Sequence, residues 1–562
     1  MMLGKLGSCG TAGVSCALAF GAAACSDKVT EESVQGWFEE SAQARGIDFE
    51  WVSGHRERFY FPEIMGGGAA LFDMDTDGDL DLYLVQAGRI DVEAEADQPA
   101  NQLFANNGPV NPGSFRNVSH GSGSGDRGYG MGVAAGDYDD DGLVDLYVTN
   151  VGPNVMLRNL GEQRFEDVTS QTEVGDPTWT ASAGFVDYDA DGDLDLYAVN
   201  YIYWSAAEEI SCYSKPHPTD YCSPKSYNAP ARDSLYCNLG DGTFEDVSAR
   251  VGLQQSYGNG LGVVFSDFDG DGHIDIFVAN DGVKNQLWHN VDGEHFEDIA
   301  ERAGCAVDQD GRAKAGMGTA AADIDDDGDE DLLVVNLSGE PDSFYRNDGD
   351  FFADRTPLVG LAVASRAYTR FGLGLADFNN DGYLDIYQAN GRVTRAPEAS
   401  GPRPFDEENL LFQGLVGGRF REVSPRGGTA RKLRATSRAA AFGDVDGDGG
   451  IDVVVVNRDS KAFLLINQVS VRGRWIGFRL LEKSGRPALG ATLSCQVGQR
   501  AIMRRAHSAY SYCAANDPTI LIGLAEATQV SGVEVLWADG TRESLGAFHA
   551  GSVVDIRHGD GE

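Results

Sequence analysis

The chemistry in this chain is concentrated in one recurring pattern of carboxylates. Asp137, Asp139, Asp141 and Asp145 stand at positions 1, 3, 5 and 9 of a nine-residue stretch with Gly142 at position 6, and the pattern recurs in register seven times. The first copy holds Asp73, Asp75, Asp77 and Asp81, the third Asp187, Asp189, Asp191 and Asp195, and the fourth Asp267, Asp269, Asp271 and Asp275. The fifth holds Asp323, Asp325, Asp327 and Asp331, the sixth Asp377, Asn379, Asp381 and Asp385, and the seventh Asp444, Asp446, Asp448 and Asp452. Asp79 and Asp193 add a carboxylate at position 7 of the first and third copies. A sharp turn at position 6 converges these oxygens on one point, and oxygen-only ligation suits Ca²⁺, which takes about six to eight oxygens. Without a cation the cage repels itself, since like charges about 4 Å apart cost about 4 kcal/mol at an effective dielectric of about 20. The spacing therefore predicts up to seven bound calcium ions.

An EF-hand shares the spacing through position 6 but requires Glu at position 12 and flanking helices. Position 12 here is Leu84, Val148, Ala198, Val278, Val334, Gln388 and Val455, and the flanks are short apolar, β-branched runs bounded by Gly and Asn. Those are strands, so each loop joins two strands of a hairpin.

The remaining segments repeat with the loops. In the second copy a strand before the loop, Gly132 to Gly136, is followed by Leu146 to Thr149, Val155 to Asn159 and Arg164 to Thr169. Four strands per unit, seven times over, predict an all-β fold: a seven-bladed β-propeller over 48–468. The fourth strand recurs as Phe115 to Ser119, Phe165 to Thr169, Phe244 to Ser248, Phe296 to Ala300, Phe351 to Thr356 and Phe420 to Ser424, one short of seven. Ile47 to Val52 is the expected seventh, closing the ring beside the last blade and removing its open edges. The long insertions, Gln86 to Asn101, Tyr201 to Ser234 and Gly391 to Asn409, all follow strand 2, which puts them on the face opposite the metal loops. That face is the expected working surface. It is also expected to carry the basic run Arg426 to Arg438 with Arg366 and Arg370, either as charge balance or as a hold for an acidic ligand or glycan. From 470 to 562 the aspartate repeat is absent, and short alternating strands predict a small β-sandwich-like domain.

The net charge of −43 would fall to −29 with seven divalent ions bound. An acidic surface excludes nucleic acid as a partner. Residues 1–24, with Lys5 and the uncharged Gly10 to Ala24, read as an export leader too short to span a bilayer comfortably. Cys25 is placed either for lipidation, and so for membrane anchoring, or for ordinary cleavage, and 25–47 reads as a tether or a short helix. Periplasmic, outer-membrane lipoprotein and extracellular locations all fit. Six cysteines remain beyond the leader, with Cys212–Cys222 and Cys495–Cys513 the economical local disulfides. His289 and His295 read as ordinary loop histidines, and the glycine runs precede strands, so they lack the context of a dinucleotide site.

The stretch Glu63-Ile-Met-Gly-Gly-Gly-Ala-Ala-Leu-Phe-Asp73, the segment Pro230 to Tyr236 and the run Tyr512-Cys-Ala-Ala-Asn516 followed by Val533 to Trp537 resemble the cartilage acidic protein family. Its members combine integrin-α-like FG-GAP (VCBS) repeats with a C-terminal ASPIC/UnbV domain. The resemblance implies an exported calcium-binding protein and carries metal ligands onto the matching loop positions, but no catalytic residue. Asn379, and Glu330 at position 8 of the fifth loop, depart from the family pattern. Two functions are then in play. One is a binding or adhesion module for a protein or glycan partner with calcium mainly structural. The other is a calcium-dependent periplasmic or biosynthetic tailoring enzyme with its site opposite the metal loops.

Overall fold

The computed structural model describes residues 36–92, 98–108, 110–213, 219–349, 351–395 and 403–561. The expected leader at 1–24 and Cys25 lie outside these residues.

The seven expected blades are present. Blade 2 is representative: strands Gly130–Gly136, Asp145–Asn150, Val155–Asn159 and Phe165–Asp167 pair antiparallel in order from the inside out. The seven inner strands, Ala69–Phe72, Gly130–Gly136, Thr180–Val186, Gly260–Ser266, Gly316–Ala322, Arg370–Ala376 and Ser437–Gly443, contact one another in a closed ring. The apolar core is divided into wedges between neighbouring blades, as between blades 3 and 4, where Tyr197, Leu235, Val263, Phe265 and Trp288 are buried together. Inner strands are narrow because they converge. A Cβ on Gly262 would stand 2.3 Å from Met317 O, and one on Gly318 2.1 Å from Phe371 O.

The closing strand is not the one the sequence suggested. Phe38–Glu40 pairs with Phe463–Asn467 as the outer strand of blade 7, Phe38 opposite Asn467. Part of the expected tether is thus built into the propeller, and the blades begin upstream of residue 48. Glu50–Trp51 lies further in and pairs with Ser460–Lys461 in a two-stranded ribbon. The exchange has a physical basis: Phe38 places its ring 5.3 Å from Phe378 and 5.9 Å from Tyr387, filling the wedge between blades 6 and 7. The bulkier Trp51 is fully buried in the larger core near Tyr129.

The C-terminal domain packs a three-stranded sheet (Ile520–Ala525, Arg474–Leu481, Val553–Arg557) against a four-stranded one (Arg500–Arg505, Thr492–Val497, Gln529–Leu536, Arg542–His549). Phe478, Leu493, Val533 and Trp537 lie in the core between them. Residues 506–519 leave this sandwich and fill the propeller's central channel. Ser511 exchanges backbone hydrogen bonds with Thr319 of blade 5 (2.8 and 3.1 Å), its Oγ accepts from Leu373 N of blade 6 and donates to Ala440 O of blade 7. Cys513 N donates to Ser182 Oγ of blade 3, Ser508 Oγ to Ala135 O of blade 2, and Ala514–Ala515 adds a parallel strand to Ala69–Ala70 of blade 1. On blade 4, a Cβ on Gly262 would lie 3.2 Å from Ser511 O.

The pairing of Cys495 with Cys513 is overturned by this plug. Cys495 is buried in the sandwich core and Cys513 in the channel, and both are free, as are Cys237 and Cys305. Cys212–Cys222 is disulfide-bonded.

Candidate metal centres

Each aspartate loop has the same backbone. Position 4 is left-handed in every copy, with φ of 60° at Thr76, 57° at Asp140, 59° at Ala190, 63° at Asp326 and 56° at Asn380, and with Gly270 and Gly447 in the other two. Position 6 is left-handed too, from 81° at Gly449 to 98° at Gly328, and glycine adopts that conformation without a Cβ penalty. Two such residues curl the chain so that its side chains face inward.

The aspartates divide the work by position. At position 9 the carboxylate is buried and braces the hairpin: Asp145 accepts from Tyr138 N (3.2 Å) and from Asn159 N on strand 3 (2.7 Å). The same pair of bonds forms at Asp81, Asp195, Asp275, Asp331, Asp385 and Asp452. At position 1, Asp137 Oδ2 accepts from Gly142 N at 2.9 Å. Carboxylate oxygens of positions 1, 3 and 9 still lie within 4.8 Å of one another in Asp73/Asp75/Asp81, Asp137/Asp139/Asp145 and Asp187/Asp189/Asp195, as do those of Asp267, Asp269 and Asp271.

These residues fit a divalent cation. Buried carboxylate oxygens without a hydrogen-bond partner cluster in the loops: Oδ1 of Asp73, Asp75, Asp139, Asp187, Asp189, Asp325 and Asp446, and both oxygens of Asp79. A buried, unpaired acceptor is costly, so each cluster has capacity for a positive charge. Burial, and secondarily the neighbouring carboxylates, push Asp79, Asp137 and Asp323 up to about 6 and Asp187, Asp377 and Asp444 to about 7. Burial raises Asp81, Asp195 and Asp331 to about 8, against the backbone hydrogen bonds that lower them.

The loops are not equivalent. Arg158 stands 2.6 Å from Asp139 and 3.3 Å from Asp141, placing a guanidinium in loop 2, and Arg346 does the same beside Asp325 at 3.6 Å in loop 5. In loop 7 Asp446 pairs with Arg45 and Asp448 with Arg472. In loop 6 the Asn379 amide donates to Asp381 at 2.9 Å. Loops 1, 3 and 5 hold aspartates at positions 1, 3, 5, 7 and 9, and of these three, loops 1 and 3 have no arginine at ion-pair distance among the described residues. Glu330 faces away from loop 5. Burial alone would raise its pKa, but Arg505 at 2.8 Å, with His507, holds it below the usual range.

Two features were missed from the sequence. His289, read as a loop histidine, lies 3.2 Å from Asp275 and 3.4 Å from Asp269, and so belongs to loop 4. The asparagine ending strand 3 is the other. Asn159 Nδ2 donates to Val144 O of its own loop and to Met74 O of the preceding blade's loop. Asn106, Asn238, Asn290, Asn347 and Asn467 repeat this, joining neighbouring loops around the ring. Its repetition in register was the available signal. Blade 6 has Gly414 there, where a Cβ would meet Leu384 O at 2.2 Å.

The FG-GAP-like repeat model matches residues 73–148, 137–198, 222–278, 267–334 and 323–387, and the ASPIC and UnbV model matches 481–562. The chain belongs to the FG-GAP-like repeat family and ends in an ASPIC and UnbV domain. It is similar to cartilage acidic protein 1 of Xenopus tropicalis, 24% identical over 532 residues, spanning 88% of this chain and 74% of that protein. The Homo sapiens protein of that name is 25% identical over 521 residues, 88% and 72% of the two chains. Among solved structures, YCF48 bound to D1 peptide aligns at a TM-score of 0.40 and 9% identity, covering 72% of this chain and 92% of that one. The blade count of this FG-GAP-like chain rests on its own strand pairing.

The C-terminal domain caps the metal-loop face. Arg500 pairs with Asp326 of loop 5 at 2.7 Å and donates to Gly382 O of loop 6, Arg486 lies 3.7 Å from Asp140 of loop 2, and Gly473 N donates to Asn379 O. The opposite face carries the three insertions. There the basic run separates into two roles. Arg370 and Arg438 are fully buried braces: Arg370 pairs with Asp342 at 2.8 Å, and Arg438 donates to Ile64 O and Gly391 O over the Phe371 ring. Burial lowers Arg438 to about 9. Arg426 and Lys432 instead pair with Glu408 at the surface.

Proposed function

We propose that this chain is an exported, calcium-binding β-propeller that works as a binding module, its partner, a protein or glycan, meeting the insertion face. Calcium is mainly structural in this reading. One observation carries it: the channel is filled from the metal side by 506–519, whose Tyr512 OH reaches Met65 O, which leaves the three long insertions of the opposite face as the elaborated surface. The segment around Phe61–Ile64 lies over that tip, and Glu209 of the blade 3 insertion in turn accepts from Phe61 N. A filled channel supports the binder over the tailoring enzyme. The Cys212–Cys222 disulfide, stapling an insertion, is in keeping with an exported protein.

Calcium rather than magnesium follows from ligand type, since crowded carboxylates in a flexible loop suit a larger ion of variable coordination. Loops 1 and 3 fill first, while loops 2 and 5 require Arg158 and Arg346 to withdraw. Metal analysis of the chain after gel filtration in calcium, with hydrogen exchange in calcium and in chelator, tests this. The reading expects two or more ions per chain and slowed exchange at the loops of blades 1 and 3. A chain that retains no calcium, or whose protection appears only in the insertions, contradicts it.

A further inference from the structure

The insertion face holds a cavity of about 250 Å³ bounded by loops of blades 1, 3, 6 and 7. Its walls are aromatic: Phe59 and Tyr221 meet edge to face at 4.9 Å, and Phe405 lies 5.7 Å from Tyr221. Three arginines and two aspartates line it. The Arg395 guanidinium sits 4.9 Å over the Phe59 ring, that of Arg458 lies 5.0 Å from both Tyr221 and Phe405, and Arg403 completes the lining.

The two carboxylates in the lining are already engaged. Asp459 accepts from Ser53 N and Ser53 Oγ at 2.8 and 2.9 Å, and Asp406 accepts from Thr436 Oγ1 at 3.0 Å and pairs with Arg403 at 3.8 Å. Beneath them, buried Glu63 accepts from Tyr221 OH at 2.9 Å and lies 2.6 Å from His55 Nδ1, which fixes both rings. Arg395 Nε is buried with no hydrogen-bond partner among the described residues, whereas Arg458, whose side chain is 6% exposed, pairs with Asp459 at 3.3 Å and donates to Tyr221 OH at 2.5 Å. In a chain of net charge −43, three arginines converge on one aromatic cavity, and Arg395 has a buried donor to spare.

Planar guanidinium groups bind carboxylates and phosphoryl or sulfuryl oxygens through paired N–H donors, and a low-dielectric wall strengthens that attraction. Aromatic walls favour a flat apolar body. We propose that this cavity binds a small organic anion, an aryl or similarly flat carboxylate, sulfate ester or phosphate ester, with its anionic group on Arg395 and Arg458 and its body against Phe59, Tyr221 and Phe405. The assignment rests on the insertion face being the binding face.

Calorimetric titration of the full calcium-loaded chain with benzoate, phenyl phosphate and phenyl sulfate tests it, with benzamide and inorganic phosphate as the neutral and bodiless controls. At least one aryl anion binds at submillimolar concentration and at least tenfold more tightly than both controls. Arg395→Gln, whose guanidinium pairs with no carboxylate among the described residues, weakens binding at least tenfold while the calcium-induced rise in Tm stays unchanged, and Arg458→Gln does the same where it folds. Equal binding of benzamide, absence of binding by all three anions, or an unaltered affinity in Arg395→Gln overturns the assignment. Should the anions fail while calcium still raises Tm, the cavity assignment falls alone and the calcium-held scaffold stands.

Discussion

At the scale of single residues the fold is held by polar groups that the repeat places identically in each blade. Asn159 links two loops through buried carbonyls, so Asn159→Ala leaves two acceptors unmatched and is expected to cost about 2–4 kcal/mol in denaturant unfolding. Arg158 supplies loop 2 with a fixed positive charge. Arg158→Ala is therefore expected to add one calcium site detectable by titration calorimetry and to lower Tm in chelator; unchanged stoichiometry would count against the guanidinium as a cation substitute. The loop carboxylates also set a pH dependence. Asp81, Asp195 and Asp331 are raised to about 8 and Asp187, Asp377 and Asp444 to about 7, so the folded, metal-free chain binds more protons than the unfolded one between about pH 4 and 8. Its stability is full below the unfolded pKa and is lost as pH rises through the folded values. Thermal melts in chelator should fall from pH 5 to pH 8, and calcium should flatten that slope.

At the scale of elements, what was legible depended on repetition. Loops and blades announce themselves because a nine-residue pattern occurs seven times, whereas Phe38–Glu40 is three residues long and occurs once. Nothing local separates it from Ile47 to Val52, and only the partner strand Phe463–Asn467 and the wedge that accepts Phe38 decide between them. The plug is illegible for a similar reason: the partners of 506–519 are contributed by remote blades. Inner strands of blades 2 to 7 carry a register shift next to the channel, as between Gly316 and Thr319, which frees Thr319 N for Ser511 O. Sequence proximity suggested Cys495–Cys513, but the chain passes from one core to another between them. The basic run was visible, yet burial decides its roles, and Arg370 and Arg438 were beyond the reach of charge patterning. Tyr512 packs at 5.0 Å from Phe371 and is fully buried; Tyr512→Ala is expected to cost about 3–5 kcal/mol, against about 1 kcal/mol for Tyr512→Phe, by urea unfolding. Equal costs would show that the plug tip is not packed.

At the scale of the whole molecule, the two faces are built differently. The metal-loop face is bound to the C-terminal domain through Arg472, Arg486, Arg500 and Arg505, so a cation bound in the loops is expected to stabilise cap and plug together with the blades. The insertion face carries the three long loops, on which the proposed partner binding would act. A ligand that binds only the folded state stabilises it by about 2.7 kcal/mol per site at 100 Kd, and several loops acting together multiply this. The most direct test is calorimetric unfolding of the full chain in calcium, in magnesium and in chelator at pH 7.5. The loops as described predict a midpoint several degrees higher in calcium than in chelator, with magnesium well below calcium; coincident midpoints in calcium and chelator would contradict the claim that a divalent ion holds the blades.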